Sequence, residues 1–92
     1  PEEPAELRRA KVLMKEGIYK DAESQLKQYL SAADDIGWHG EGYLTLGKLY
    51  ETQKDYPKAE ETYRQAMKHG NKYQSTVTAQ SLHRLSWIYE AQ

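Results

Sequence analysis

The chain contains no cysteine, so it forms no disulfide and has no thiol for catalysis, metal binding or redox sensing. That favours a cytoplasmic setting without establishing one. Phenylalanine is also missing, and eight Tyr and two Trp carry the aromatic packing instead. Tyrosine's polar end suits shallow layers that lie near solvent. Proline does not recur after Pro57, which leaves the C-terminal third without a helix breaker. No apolar run approaches the ~20 residues that a bilayer-spanning helix needs. A charged-then-apolar leader with a cleavage site is not legible at the N-terminus, and the chain opens on Pro1 rather than Met, as expected of a processed or excised chain. Neither sign of charge dominates: 13 Lys and Arg face 14 Asp and Glu. No overall field therefore draws in nucleic acid or an anionic membrane.

What is present suits one small domain over residues 1–92. Hydrophobic residues make up only 38% and the mean hydropathy is −0.98, so each apolar side chain must be placed efficiently. Their spacing is helical throughout, and no stretch alternates with period two. Five helices are expected. The first runs from Pro4 to Lys15, with Pro4 in the opening turn and Gly17 supplying a left-handed C-terminal residue. The second runs from Tyr19 to Ala33. The third starts at His39 and aligns Tyr43, Leu46, Gly47 and Tyr50 on one face. The fourth follows Asp55 as N-cap with Pro57 in its first turn, carries Ala59, Tyr63, Ala66 and Met67, and ends near Gly70. The fifth follows a polar stretch and carries Thr78, Leu82, Leu85 and Tyr89 as its apolar stripe.

Self-similarity organises these helices. An offset of 37 carries "KEGIYKDAE" at 15–23 onto "TQKDYPKAE" at 52–60, aligning Tyr19 with Tyr56 and Ala22 with Ala59. The same offset aligns Ala10 with Gly47 and Leu13 with Tyr50. An offset of 39 carries "YLTLGKLYE" at 43–51 onto "LHRLSWIYE" at 82–90. Ala10, Gly47 and Ser86 thus hold equivalent places, and all three are small. A glycine inside a helix costs ~1 kcal/mol relative to alanine, so Gly47 is expected where a following helix crosses closely, with Ala59 as its small counterpart. Ala66 is assigned to the contact with the next repeat.

Tyr43, Leu46, Gly47, Tyr50, Tyr56, Ala59, Tyr63 and Ala66 together resemble the tetratricopeptide repeat signature. Repeat 1 would cover 3–36, repeat 2 would cover 40–73, and a half repeat 75–92. Repeat 1 departs at Glu6 and Arg9, where apolar residues are expected, while Ala10, Leu13, Gly17, Tyr19 and Ala22 fit. Leu82, Leu85, Ser86 and Tyr89 carry the half repeat. The 37–39 residue spacing, with turns "DIG" at 35–37 and "KHG" at 68–70, resembles the extended subclass of the family. The resemblance implies an all-α, right-handed α-solenoid of antiparallel helix hairpins, whose first helices line a concave groove that holds a peptide or a partner helix.

Groove-facing candidates by register are Leu7, Arg8, Lys11, Met14 and Lys15 on the first helix. On the third they are Glu41, Leu44, Thr45, Lys48, Glu51 and Thr52, and on the fifth His83, Arg84, Trp87, Glu90 and Ala91. Arg8, Lys11 and Lys15 form a basic stripe that, with Lys48 and Arg84, suits an acidic segment; an ordinary solvated face is the competing reading. The family's carboxylate clamp falls here on Leu7, Lys11, Thr45, Gln80 and Arg84, of which Arg84 alone fits cleanly. Leu44, Met14 and Trp87 are the expected apolar contacts, Trp87 either as an anchor or as surface for a neighbouring helix. Trp38 is expected to pack between hairpins. Asp34, Asp35 and His39 gather without any metal-ligand spacing, and there is no phosphate loop or nucleophile elbow. The expectation is a non-catalytic protein-interaction module without cofactor or metal. A structural fragment that associates with itself through the C-terminal helix is the alternative.

Overall fold

The structure is a computed structural model that describes residues 3–32, 38–70 and 75–91, without the side chains of 70, 75–78 and 91. It is all-α. Among the described residues there are five helices: α1 Ala5–Lys15, α2 Tyr19–Leu30, α3 His39–Thr52, α4 Tyr56–Gly70 and α5 Ser75–Ala91. Asp34, Asp35, the 35–37 turn and the side chains of Thr78 and Ala91 lie outside the described residues.

The helix ends follow from local chemistry. Pro4 stands at the N-cap of α1 with extended backbone rather than in its first turn. At the other end Gly17 takes φ 80°, donates its N–H to the Met14 carbonyl, and is followed by Ile18 donating to Leu13. This is the Schellman closure, with glycine at its left-handed position. The same closure ends α3, where Lys54 N–H meets the Glu51 carbonyl and Asp55 N–H meets that of Tyr50. There the left-handed residue is Lys54, at φ 62°. Helix α2 stops at Leu30, short of the expected Ala33; the Ser31 hydroxyl donates to the Gln28 carbonyl at 2.7 Å and satisfies a last-turn acceptor. Pro57 does sit in the first turn of α4.

Packing is an open stack. Helix α1 lies on α2, α2 on α3, α3 on α4 and α4 on α5, while α1 and α5 each touch α3 alone among the non-consecutive helices. Among the described residues neither α1 nor α2 reaches α5, so the two ends of the stack stay apart; the molecule measures 36 × 30 × 18 Å. Helix α3 is the hub. It buries ten of its residues, Leu44, Leu46, Leu49 and Tyr50 among them, each buried leucine contributing about 2 kcal/mol.

The first helices of the hairpins carry two apolar stripes with separate duties. In α3, the Gly42–Leu46–Leu49 stripe is buried, as is the Gly47–Tyr50 stripe. A Cβ added to Gly42 would stand 3.0 Å from Leu30 Cδ2, which places the first stripe against α2. A Cβ on Gly47 would stand 2.6 Å from Tyr63 Cε1, which places the second against α4. Gly47 is therefore small because α4 crosses it closely, and the nearest atoms are those of the Tyr63 ring; Ala59 is buried in the core.

Helix α5 uses only one of these stripes. Ser81, Leu85 and Ile88 are buried, whereas Leu82 is 56% exposed and Tyr89 54%. The expected core face of α5 is thus corrected. Leu82 and Tyr89 belong to the face that in α3 meets its own following helix, and no described helix lies there. The same division accounts for Arg9 of α1, though not for Glu6, whose stripe is the one that meets α2. Both are exposed, Arg9 because its stripe is the one that would meet a preceding hairpin. Ala10 and Ala22 are fully buried, Ala66 likewise, while Leu13, Tyr43 and Trp38 pack half-buried against the core.

Candidate functional site

Three first helices lie side by side, α1 and α5 flanking α3, and their exposed edges make one face. A repeated polar ladder crosses it. Lys11 Nζ donates to Glu41 Oε1 at 3.2 Å between α1 and α3. Lys48 Nζ donates to Gln80 Oε1 at 3.4 Å between α3 and α5. Lys11 and Lys48 are separated by the 37-residue offset, and Glu41 and Gln80 by the 39-residue one, so the sequence repeat reappears as a repeated contact. At the α3–α5 end of this face is an open cavity of about 400 Å³ lined by Lys48, Ala79, Gln80, His83 and Arg84.

Several expected groove residues are elsewhere. Leu7 and Leu44 are buried at 0% and 1% exposure, and Thr45 is buried with its hydroxyl on the Glu41 carbonyl. Met14 packs against the core. Leu44 and Thr45 face inward because α3 is packed against all four other helices, leaving Lys48 and Thr52 exposed and Glu41 partly so. Leu44 therefore offers nothing to a ligand, and Met14 only its solvent edge.

The basic residues divide into two groups. Lys11 pairs with Glu3 as well as Glu41; burial opposes its charge, but these two carboxylates outweigh it and raise its pKa. Arg8, Lys15, Lys48 and His83 are exposed. Arg84 is engaged inward. Its Nε donates to Glu51 Oε1 at 3.1 Å, its terminal nitrogen to Glu51 Oε2, and Tyr63 Oη donates to Glu51 Oε1 at 2.8 Å. Glu51, expected on the groove, is 7% exposed. A buried carboxylate needs such partners, because leaving it alone costs several kcal/mol. The hydrogen bond to Glu51 holds the Arg84 pKa above its usual value. For Tyr63, burial comes first and the Glu51 bond second, both pushing its phenol pKa upward. The Glu51–Arg84–Tyr63 group thus ties α3, α4 and α5 together. A glutamate at the end of an apolar helix gave no sequence sign of this, because its partners come from two other helices.

Trp87 is 43% exposed. The Arg84 guanidinium carbon lies 5.4 Å from its ring centroid and the Tyr56 ring 6.4 Å away, so the indole is fixed on one side and open on the other. Glu90, three residues further on, is exposed. Leu85 does face the preceding hairpin, and Tyr89, although exposed, bonds through its hydroxyl to Glu60 and Arg64 of α4; Ser86 is exposed. His39 is in the interior. Tyr29 meets its ring edge-on at 5.0 Å and His69 lies at 6.1 Å, itself stacked on Tyr43 at 5.1 Å. Among the described residues no three His, Asp or Glu side chains converge as metal ligands do.

Comparison with known proteins finds no match: no family model, no curated protein and no solved structure. The class these observations define is an all-α, helical repeat-like fold of stacked hairpins.

Proposed function

We propose that the chain is a tetratricopeptide-like, non-catalytic protein-interaction module that holds an extended, acidic peptide across the α1–α3–α5 face. What supports the reading is the polar ladder, Lys11–Glu41 repeated as Lys48–Gln80, which joins the first helices into one continuous surface. Arg8, Lys15 and Lys48, which register assigns to that surface, are exposed cations, and Trp87 is an exposed aromatic side chain. The cavity beside Lys48 and His83 would take a side chain of the peptide. Affinity then comes from Trp87 and the cations, not from Leu44 or Met14.

The test is fluorescence anisotropy with a labelled peptide of Glu and Leu residues and a Lys-for-Glu counterpart. The acidic peptide binds, the basic one does not, and added salt weakens binding. Arg8→Glu with Lys48→Glu abolishes it while helicity by circular dichroism is unchanged. Equal binding of both peptides, or unaltered binding to the double variant, overturns the proposal.

A further inference from the structure

The second repeated contact lies on the opposite side of the first helices. Tyr50 Oη donates to Glu23 Oε2 at 2.6 Å, and Lys27 pairs with the same carboxylate at 3.3 Å. Tyr89 Oη donates to Glu60 Oε1 at 2.9 Å, and Arg64 pairs with that carboxylate at 2.6 Å. The same offsets of 37 and 39 relate every member. Helix α5 is therefore seated on α4 as α3 is seated on α2. The two tyrosines differ in cover: Tyr50 is 6% exposed and Tyr89 54%. What covers Tyr50 is α4, which also holds Lys58 Nζ 5.6 Å from its ring centroid.

The shape of the uncovered face specifies its occupant. Helix α3 offers large–small–large residues, Tyr43, Gly47 and Tyr50, and α4 answers with small–large–small, Ala59, Tyr63 and Ala66. Helix α5 again offers large–small–large, in Leu82, Ser86 and Tyr89, so a second α5 would meet it bulk against bulk. A helix of the α4 type meets it bulk against notch. The depth of the notch sets the central residue. Gly47 has Tyr63 against it, while in the first hairpin the equivalent places are held by Ala10 and Leu26, both fully buried. Ser86 carries a Cβ as Ala10 does, so leucine rather than tyrosine is the matching size.

We propose that the Leu82–Ser86–Tyr89 face of α5 is a docking site for a partner's amphipathic helix, antiparallel to α5, with the pattern basic–small–x3–Leu–x2–small. The basic residue takes the place that Lys58 holds over Tyr50, here above Tyr89 and near Glu60. This face is separate from the peptide surface, which uses Gln80, Arg84 and Trp87 half a turn away on α5, and the inference does not depend on that surface binding anything.

The chain supplies its own probes. Helix-stapled peptides of residues 56–70, one with Tyr63 kept and one with Tyr63→Leu, are titrated into the full chain. The leucine peptide binds wild type several-fold more tightly than the tyrosine peptide. Ser86→Gly deepens the notch and reverses that order. Ser86→Trp, at an exposed position that leaves the helical signal unchanged, abolishes both. Failure of either peptide to bind, an order that Ser86→Gly leaves unaltered, or binding that survives Ser86→Trp overturns the proposal. So does a chain whose mass by light scattering doubles with concentration and reverts with Leu82→Glu, because a second copy then occupies the face.

Discussion

Gly47 shows how a single residue can be legible in sequence while its reason is not. A helical glycine equivalent to Ala10 and Ser86 pointed to close helix packing, and its neighbour was expected to be Ala59. The structure puts the Tyr63 ring there, with the nearest atom 2.6 Å from where a Cβ would stand. That ring cannot swing away, because its hydroxyl is tied to Glu51 and the residue is fully buried. Gly47→Ala gains ~1 kcal/mol of helix propensity but overpacks the site by about 1–3 kcal/mol. A net loss is expected in denaturant unfolding, and Tyr63→Leu in the same chain recovers part of it by recreating the Ala10–Leu26 combination. A Gly47→Ala chain as stable as wild type removes this account.

At the scale of the element, the ends of α1 and α3 make the same closure with different residues. Gly17 was readable as a left-handed terminator because glycine accepts φ 80° freely. Lys54 was not, since nothing in a lysine announces φ 62°; it is imposed by the carbonyls of Tyr50 and Glu51 that need its loop closed. A β-carbon in that conformation costs roughly 1–2 kcal/mol. Lys54→Gly removes this strain and adds backbone freedom to the unfolded chain, so a stability gain of up to about 1 kcal/mol is expected. A thermal melt that does not move, or falls, contradicts it. Helix α5 shows the opposite case. Its apolar residues fit two adjacent stripes, and periodicity could not say which one would find a neighbour. Choosing Leu82–Leu85–Tyr89 over Ser81–Leu85–Ile88 was therefore undecidable from that helix alone.

For the whole molecule, tyrosine–carboxylate bonds tie the helices together, Tyr50 joining the first hairpin to the second and Tyr63 closing the second on itself. Tyr50 bonds to Glu23 and Tyr63 to Glu51, and in both burial acts first and the carboxylate second to hold the phenol pKa above its ordinary value. In the unfolded chain these groups ionise near pH ~10. Their contribution is therefore complete below that pH and is lost as the pH climbs above it, where the unfolded chain sheds protons that the folded chain keeps. Ultraviolet titration is expected to show Tyr50→Leu and Tyr63→Leu each removing a phenol that ionises only as the helical signal disappears. If either phenol titrates near pH ~10 with helicity intact, the buried tyrosine–carboxylate links are wrong.

The all-α class, the number of helices and the hairpin repeat were determined by the sequence alone, because periodicity, glycine punctuation and self-similarity are local signals along the chain. The candidate surface was only partly legible. Register put Lys11 and Lys48 on one side, and each bonds across to a neighbouring first helix, yet it could not know that α3 would be enclosed, hiding Leu44 and Glu51. Nor could it show that Arg84 would turn to neutralise that buried glutamate. Burial and ion pairing depend on which neighbours arrive from other helices, as Tyr63 and Arg84 do from 12 and 33 positions beyond Glu51. Tertiary structure alone decided which charges remain exposed and which of the two stripes of α5 stays open.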